Sequence, residues 1–387
     1  MSRFILSLGA ALVLVQLMAQ SSPNIQSVSV ENDDNFVGYD LIDIDSNQLF
    51  VLAEHWHNIR SVPKATMKVL RFLHQHANVR ILAIEQGASA AHMINSYLAT
   101  GDTIKLRQIA RNTLFWGKEN WEFFEELKAF NDALPAEEQI FVKSIDIEYK
   151  MASAIFVIND LIGDKSIPES LESTIGEFKK LFEGTRKHRE SFQGLSVMHY
   201  YDRKIVENLV LLTIDEMEQK SELYTEFFQD DFIQFATIIL EMDDGLTFDY
   251  TNPNNKYKFR DRLILQKFHS LIEDYPNTGI LCVIGMRHAT KNSSIYKLDN
   301  EENSPLYGKV CIIKISALLN KVISSSDLKQ LNYNYPKQLK VNPATLIKHS
   351  DDDAALKSSK DFDYTLFINS SGELTPFEKV FKGDFGH

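Results

Sequence analysis

The sequence predicts an α/β fold with a mostly parallel central sheet flanked by helices. In the first 150 residues, short apolar runs alternate with longer segments whose apolar residues recur at helical spacing. This alternation is typical of β-α-β units, in which neighbouring strands are parallel and helices cover both faces of the sheet. Strand-like runs return after residue 275, and the segment between them carries mainly helical periodicity. We therefore expect a large helical insertion between the two halves of the sheet.

Six apolar runs are the predicted strands. They are residues 48–53 (QLFVLA), 79–84 (VRILAI), 140–145 (IFVKSI), 279–284 (GILCVI), 309–315 (KVCIIKI) and 363–368 (DYTLFI). The clearest helix begins at Pro63 and ends at Asn78, with others predicted at 89–98, 120–133, around Leu181, and at 199–217, 224–240 and 257–272. Residues 323–360 carry serine and acidic runs and are expected to form a solvated loop.

These patterns divide the chain into five parts. They are a signal peptide (1–20), a polar leader (21–44), a first α/β half (45–150), a helical insertion (151–275), and a second α/β half with a C-terminal strand (276–387).

The first twenty residues have the pattern of a secretory signal peptide. Arg3 supplies a short positive region, residues 4–18 are almost wholly apolar, and Ala19 is a small residue at the cleavage position. An uncleaved membrane anchor is the alternative, but the apolar run is shorter than the roughly 20 residues that a spanning helix needs. We expect export to a periplasm or secretion, with no stable membrane insertion after cleavage.

The composition is that of a globular protein with an acidic surface. Charged residues make up 24% of the 387 residues, and the net charge is -12. Nucleic-acid binding requires lysine and arginine clustered on one face, and no basic stripe is present. The expected partner is a small-molecule substrate.

Cys282 and Cys311 are the only cysteines. Both lie in predicted strands, so an exported protein could pair them. Two buried free thiols are the simpler alternative, because the geometry of a disulfide is strict.

Ionisable residues follow four of the predicted strands. Glu54 and His57 come after the first strand, Glu85 after the second, Asp146 after the third, and His288 shortly after the fourth. In open parallel sheets, ligands bind just beyond the carboxyl ends of the strands. These side chains are therefore expected to face one crevice.

Each of these residues also has a structural interpretation. Asp146 could cap a helix, and His57 or His288 could be a hydrogen-bonded core histidine. Glutamate is a poor helix cap, so Glu54 and Glu85 are harder to explain in this way. The coincidence of all five at strand ends favours a functional site.

The motifs around these positions resemble those of the erythromycin esterase family. Glu54-His55-Trp56-His57 matches its E-x-x-H motif, and Gly285-Met286-Arg287-His288 is similar to its late histidine motif. Further likenesses are Glu85, Asn95-Ser96-Tyr97-Leu98 with Gly101-Asp102, Arg260-Asp261-Arg262, and Phe362-Asp363-Tyr364. Together they cover roughly residues 45–375. Ala53 and Asn58 stand where the family usually has glycine, which weakens any inference about the substrate.

The resemblance implies hydrolysis of an ester or lactone by direct attack of water. His57 would act as the general base, oriented by Glu54 or Glu85. His288 and Arg260 would lie near the developing oxyanion or the leaving group, with Asp146 and Arg287 as supporting residues. The sequence has no G-x-S-x-G element, so a serine nucleophile is not expected.

Two alternatives use the same residues. Glu54, His57, Glu85 and His288 are also candidate ligands for a divalent metal, so a metal-dependent hydrolase stays open; no cofactor is certain. More distant ChaN-like relatives suggest a non-catalytic binder of haem or another ligand, with His57 or His288 as axial ligand.

Overall fold

The structure is a computed structural model. It describes residues 24–31, 34–54, 57–112, 115, 117–148, 151–189, 203–248, 253–291, 293–319, 344–348, 361–370, 372 and 374–375. The expected signal peptide (1–20) lies outside these residues, as do His55 and Trp56 of the E-x-x-H motif.

The described strands form one mixed sheet of eight. They are β1 (Asn24–Val28), β2 (Leu49–Glu54), β3 (Val79–Ile84), β4 (Phe141–Ser144), β5 (Gly279–Gly285), β6 (Val310–Leu319), β7 (Ala344–Lys348) and β8 (Tyr364–Ser370). Their order across the sheet is β1-β7-β8-β6-β2-β5-β3-β4. The six strands from β8 to β4 are parallel, whereas β7 and β1 run antiparallel at one edge.

This architecture confirms the predicted fold class. All six predicted strands are present, and the parallel pairing places the carboxyl ends of β2, β3, β4 and β5 at one edge. The two halves of the chain interleave, because β5 lies between β2 and β3. Helices occupy the segment between β4 and β5, as predicted for the insertion.

The antiparallel edge corrects the predictions for two polar segments. β1 lies in the predicted leader, and β7 lies in the predicted loop at 323–360. β7 pairs with both β8 and β1, so its backbone groups are satisfied on two sides despite its polar surroundings.

The described helices cover the two faces of the sheet. They are α1 (Val62–Ala77), α2 (Ala88–Thr100), α3 (Thr103–Asn112), α4 (Lys118–Asp132), α5 (Met151–Ile162), α6 (Glu177–Arg189), α7 (Arg203–Gln219), α8 (Ser221–Phe228), α9 (Phe232–Thr247), α10 (Pro253–Asp274) and α11 (Ser294–Asn300). The single helix predicted at 224–240 is in fact two, α8 and α9. The chain turns between them at Gln229, which has a φ of 53°.

The two cysteines are free and buried, on opposite faces of the sheet. Cys282 packs with Val51 in the core on one face, whereas Cys311 packs with Phe50 in the core on the other. Their strands, β5 and β6, lie on either side of β2. This separation, about 10 Å across two strand spacings, prevents a disulfide.

The described part of the chain has no helix of the length and apolar character that a bilayer-spanning segment requires.

A close approach between α9 and the chain after β4 positions one side of the site. The backbone N–H of Glu148 donates to the carbonyl of Glu241 in α9 at 3.2 Å. At Gly245, one helical turn further on, a Cβ atom would lie 2.0 Å from the carbonyl oxygen of Glu148. Only glycine therefore allows α9 to pack this tightly against the segment that carries Asp146.

We predict that Gly245→Ala destabilises the protein by about 1–3 kcal/mol, because the new methyl group meets backbone that must shift. Gly184→Ala in α6 is the matched control, since a Cβ atom there meets nothing within 4 Å. That variant should gain up to about 1 kcal/mol from helix propensity. Chemical unfolding of both measures the difference, and equal stabilities would contradict the packing argument.

Candidate active site

The strand ends bring the predicted site residues together. Glu54 is the last residue of β2, Glu85 directly follows β3, and Asp146 lies two residues beyond β4. His288 lies in the short 3₁₀ helix Met286–Ala289 that follows β5. His57 and His288 approach the two oxygens of the Glu85 carboxylate, so both imidazoles belong to one site.

His57 is held from one side by Glu54. Its Nδ1 lies 3.1 Å from Oε2 of Glu54, which fixes the imidazole through that nitrogen. The opposite nitrogen, Nε2, faces Oε2 of Glu85 at 3.8 Å, too far for a direct hydrogen bond. The His57 side chain is 43% exposed, whereas both carboxylates are nearly buried. The exposure of the His57 side chain thus gives water or a substrate access to the imidazole.

Glu85 is the centre of the hydrogen-bond network. Oε1 accepts from Nη2 of Arg260 at 2.5 Å and lies 3.4 Å from Nε2 of His288. Oε2 accepts the backbone N–H of Gly285 at 2.5 Å. Three donors from two parts of the chain, α10 and the end of β5 with the turn that follows it, therefore surround one buried carboxylate.

Gly285 makes this arrangement sterically feasible. A Cβ atom at this position would lie 3.2 Å from Oε2 of Glu85 and 3.3 Å from Nε2 of His57. These contacts are tighter than ordinary van der Waals distances, so a side chain here would press on both groups. The glycine lets β5 end against the candidate general base and its neighbouring carboxylate.

Arg260 of α10 joins Glu85 to Asp146. Its Nε lies 2.8 and 3.0 Å from the two oxygens of Asp146, and its Nη2 also donates to Asp146. Asp146 is fully buried, so this bidentate pair compensates a charge that would otherwise be costly. Asp146 is thus an ion-pair partner of Arg260, and it also accepts the N–H of Ile147.

His288 is held between two carboxylates. Nδ1 lies 2.6 Å from Oδ1 of Asp261, and Nε2 faces Glu85. Only 4% of the side chain is exposed. With both ring nitrogens directed at carboxylates, His288 is not arranged as an axial ligand for haem.

Four supporting residues were not among the predicted site residues. Asp261 holds His288, as described. Lys267, also in α10, donates to the carbonyl oxygen of Asp146 and lies 2.5 Å from Oε1 of Glu241. Glu241 and Glu148 accept the backbone N–H groups of Ala88 and Ser89 at the start of α2.

The surroundings shift the pKa values of the ionisable groups in different directions. Burial works against the charged form of Glu85, but the hydrogen bond with His288 and the charges of Arg260 and both histidines hold its pKa well below the ordinary value. Burial also opposes the imidazolium of His288, but its hydrogen bonds with Asp261 and Glu85 raise its pKa to about 9. At neutral pH, Glu85 is therefore a carboxylate and His288 a cation.

The pKa values of the Glu54–His57 pair, beside the cavity, are both raised. The hydrogen bond with Glu54 raises the pKa of His57 above its ordinary value, although burial opposes this shift. Burial raises the pKa of Glu54, and the bond with His57 counteracts it. Farther inside, burial and the charge of Glu241 raise the pKa of Glu148 to about 8.

A narrow cavity of about 50 Å³ opens beside Glu54, His57 and Glu85. Its wall is mostly apolar and comes from α1, α4 and the ends of the central strands. The other lining residues are Val62, Pro63, Thr66, Leu82, Ile84, Gln86, Phe115, Asn120, Phe123, Phe124 and Val283.

The residues do not form a metal-binding group of the expected kind. Within the described ranges, no three His, Cys, Asp or Glu side chains are placed to share an ion. The guanidinium of Arg260 lies between Glu85 and Asp146, where its positive charge takes the place that a cation would need. Arg287 is exposed, unlike its neighbour His288.

Comparison with solved structures shows which proteins share this fold. A mutant of the erythromycin esterase EreC in its open conformation is similar over 90% of this chain and 98% of its own, with a TM-score of 0.62 and 11% identity. A succinoglycan biosynthesis protein matches with a TM-score of 0.58 and 13% identity, covering 86% of this chain and 90% of its own. A Bacillus cereus protein matches with a TM-score of 0.55 and 14% identity, covering 86% and 91%.

At these identities the likeness establishes the fold alone. No family model matches the sequence, and no curated protein matches it.

We predict that Asp261→Asn lowers the pKa of His288 by about one unit, because a neighbouring opposite charge is lost. Titration of the imidazole resonances by NMR measures this pKa. Asp274→Asn, an exposed change at the far end of α10, is the control. An unchanged titration in Asp261→Asn would show that the aspartate does not stabilise the imidazolium.

The same shift has a consequence for stability. Because the pKa of His288 is raised in the folded state, its contribution is complete below the unfolded value near 6.5 and is lost as the pH rises through about 9. The wild-type protein should therefore lose more stability across this interval than Asp261→Asn.

Proposed function

We propose that the protein hydrolyses an ester or lactone by direct attack of water, with His57 as the general base. The observation that carries this proposal is the orientation of His57. Glu54 fixes Nδ1, while Nε2 faces an open cavity beside a second carboxylate. A nitrogen oriented in this way can accept a proton from water.

The Glu54–His57 pair supports proton transfer for an electrostatic reason. When His57 takes a proton from water, the imidazolium forms next to the carboxylate of Glu54, which stabilises it. The 3.8 Å separation between Nε2 of His57 and Oε2 of Glu85 is too long for a direct bond, and a water lying beside the pair can hydrogen-bond to both atoms. A water there would be aligned by both.

Arg260 and His288 contribute positive charge to the same region. In their present contacts both direct hydrogens at carboxylates, with Glu85 shared between them. Their first role is thus to neutralise Glu85, so that the negative charge developing on the substrate is not repelled. Their expected role next to the oxyanion stays a prediction.

The fold likeness is consistent with this reaction class, since one structural neighbour is an erythromycin esterase. The cavity of about 50 Å³ is much smaller than a macrolide, so a smaller ester is the better first substrate. Export through the N-terminal signal remains part of the proposal and would place the reaction outside the cytoplasm.

We predict that His57→Ala lowers kcat by a factor of about 10²–10⁴, the span that a positioned base supplies. The activity is measured by titrating, at constant pH, the acid released from ethyl butanoate, γ-butyrolactone and erythromycin. His74→Ala is the matched control, because that histidine bonds only the carbonyl of Glu138 among the described residues and lies on the helix α1 surface. Full turnover by His57→Ala would reject the assignment.

The pH dependence provides a second test. Because the pKa of His57 is raised, kcat/KM should increase with pH through a midpoint above the ordinary histidine value. Glu54→Gln removes the carboxylate that stabilises the imidazolium, so the midpoint should move to lower pH while the rate above it falls. The exposed change Glu122→Gln is the control. A midpoint that stays in place or rises would contradict the pairing.

A further inference from the structure

Two buried polar residues, Thr66 and Asn120, line the cavity beside His57 without a side-chain hydrogen bond among the described residues. The hydroxyl of Thr66 is buried and has no hydrogen-bond partner in the described part of the chain, and the residue is only 3% exposed. The side-chain amide of Asn120, in a residue 7% exposed, makes no hydrogen bond among the described residues, where only its backbone N–H is bonded. Both residues line the cavity.

Unsatisfied buried polar groups are rare because each costs about 1–3 kcal/mol. Helix geometry explains why these two face the cavity. Thr66 lies one turn after Val62 on α1, and Asn120 lies on the same face of α4 as Phe123 and Phe124. The two helices thus each present one polar group within an otherwise apolar wall.

The geometry points to a substrate subsite for a short apolar group that carries a hydroxyl. This inference rests on the proposed function, because it concerns the part of the ester next to the scissile bond. A hydroxyl both donates and accepts, and the threonine hydroxyl and the asparagine amide can each do the same. A ligand hydroxyl can therefore pair with either side chain.

The size of the cavity limits the group. One water molecule needs roughly 10–15 Å³ of such cavity volume. A cavity of about 50 Å³ therefore holds three to five non-hydrogen atoms. The chain of a 3-hydroxybutanoyl ester beyond its carbonyl carbon has four such atoms. Its methyl group would contact the apolar wall, while its hydroxyl would pair with Thr66 or Asn120.

The test compares ethyl 3-hydroxybutanoate with ethyl butanoate, which differ by this hydroxyl alone. We expect the full-length protein to prefer the hydroxy ester in kcat/KM by about tenfold or more, because a site with polar groups rejects an analogue that leaves them unpaired. Thr66→Val and Asn120→Leu should each reduce the ratio several-fold. Thr213→Val is the matched control, since this buried helical threonine already bonds the carbonyl of Leu209 far from the cavity.

The free energy of unfolding distinguishes a ligand-binding role of the Thr66 hydroxyl from a structural one. Thr66→Val removes an unsatisfied buried hydroxyl, so the free energy of unfolding should stay the same or rise. Thr213→Val removes a bonded hydroxyl and should lower it. A clear loss of stability in Thr66→Val would mean that the hydroxyl has a structural partner, which overturns the inference.

Binding without turnover distinguishes failure of the subsite from failure of the proposed function. Saturation-transfer NMR of both esters with His57→Ala reports binding alone. If the hydroxy ester binds preferentially, and Thr66→Val or Asn120→Leu in the same background removes the preference, the subsite stands even when neither ester is hydrolysed. If the esters bind equally, or the preference survives in both variants, the subsite is refuted even when the protein hydrolyses them.

Discussion

The arrangement of the site depends on one buried carboxylate. Glu85 is nearly inaccessible, yet it is ionised because Arg260, His288 and the N–H of Gly285 all direct hydrogens at it. An unpaired charge at this position would cost several kcal/mol, so its partners cannot be removed one at a time without a penalty. This requirement fixes the ends of β3 and β5 and the start of α10 relative to one another. The insertion is thereby tied to the sheet at the point where the chemistry is proposed.

Helix α10 connects the site to the structure behind it. Arg260, Ile264 and Lys267 lie on one face at spacings of four and three residues, so two cations and a fully buried apolar residue point the same way. Arg260 binds the carboxylates at the proposed active site. Lys267 binds the carbonyl of Asp146 and the carboxylate of Glu241 on the side away from that site. Glu241 in turn accepts the first N–H of α2, where a negative charge is favourable. The chain of contacts runs from the proposed active site into the core of the insertion.

The sequence predicted the parallel strands and the site residues at their ends because both signals are local. An apolar run followed directly by Glu54 or Glu85 is visible without knowing the strand order. The edge strands β1 and β7 were not predicted, since five polar-flanked residues become a strand only when a distant partner is present.

The role of Lys267 had a detectable signal in the sequence, because it is a cation in the apolar stripe of a helix that also carries Arg260. The proposed roles of Thr66 and Asn120 had none, because whether a buried polar group finds a hydrogen-bond partner depends on packing.

The charge balance explains why a base and so many carboxylates can share one site. With His57 neutral, the carboxylates of Glu54, Glu85, Asp146 and Asp261 outnumber the two cations Arg260 and His288, and a proton arriving on His57 reduces that excess. The surroundings thus favour the proposed proton transfer to His57, which would generate the nucleophile. The nucleophile itself is negative, however, and Glu85 alone would repel it. Arg260 and His288 contact Oε1 of Glu85, and the N–H of Gly285 bonds Oε2, the oxygen that faces His57, so the negative charge of this carboxylate is offset at both oxygens. The pairing that makes burial of Glu85 tolerable is therefore the same pairing that lets an anion form beside it.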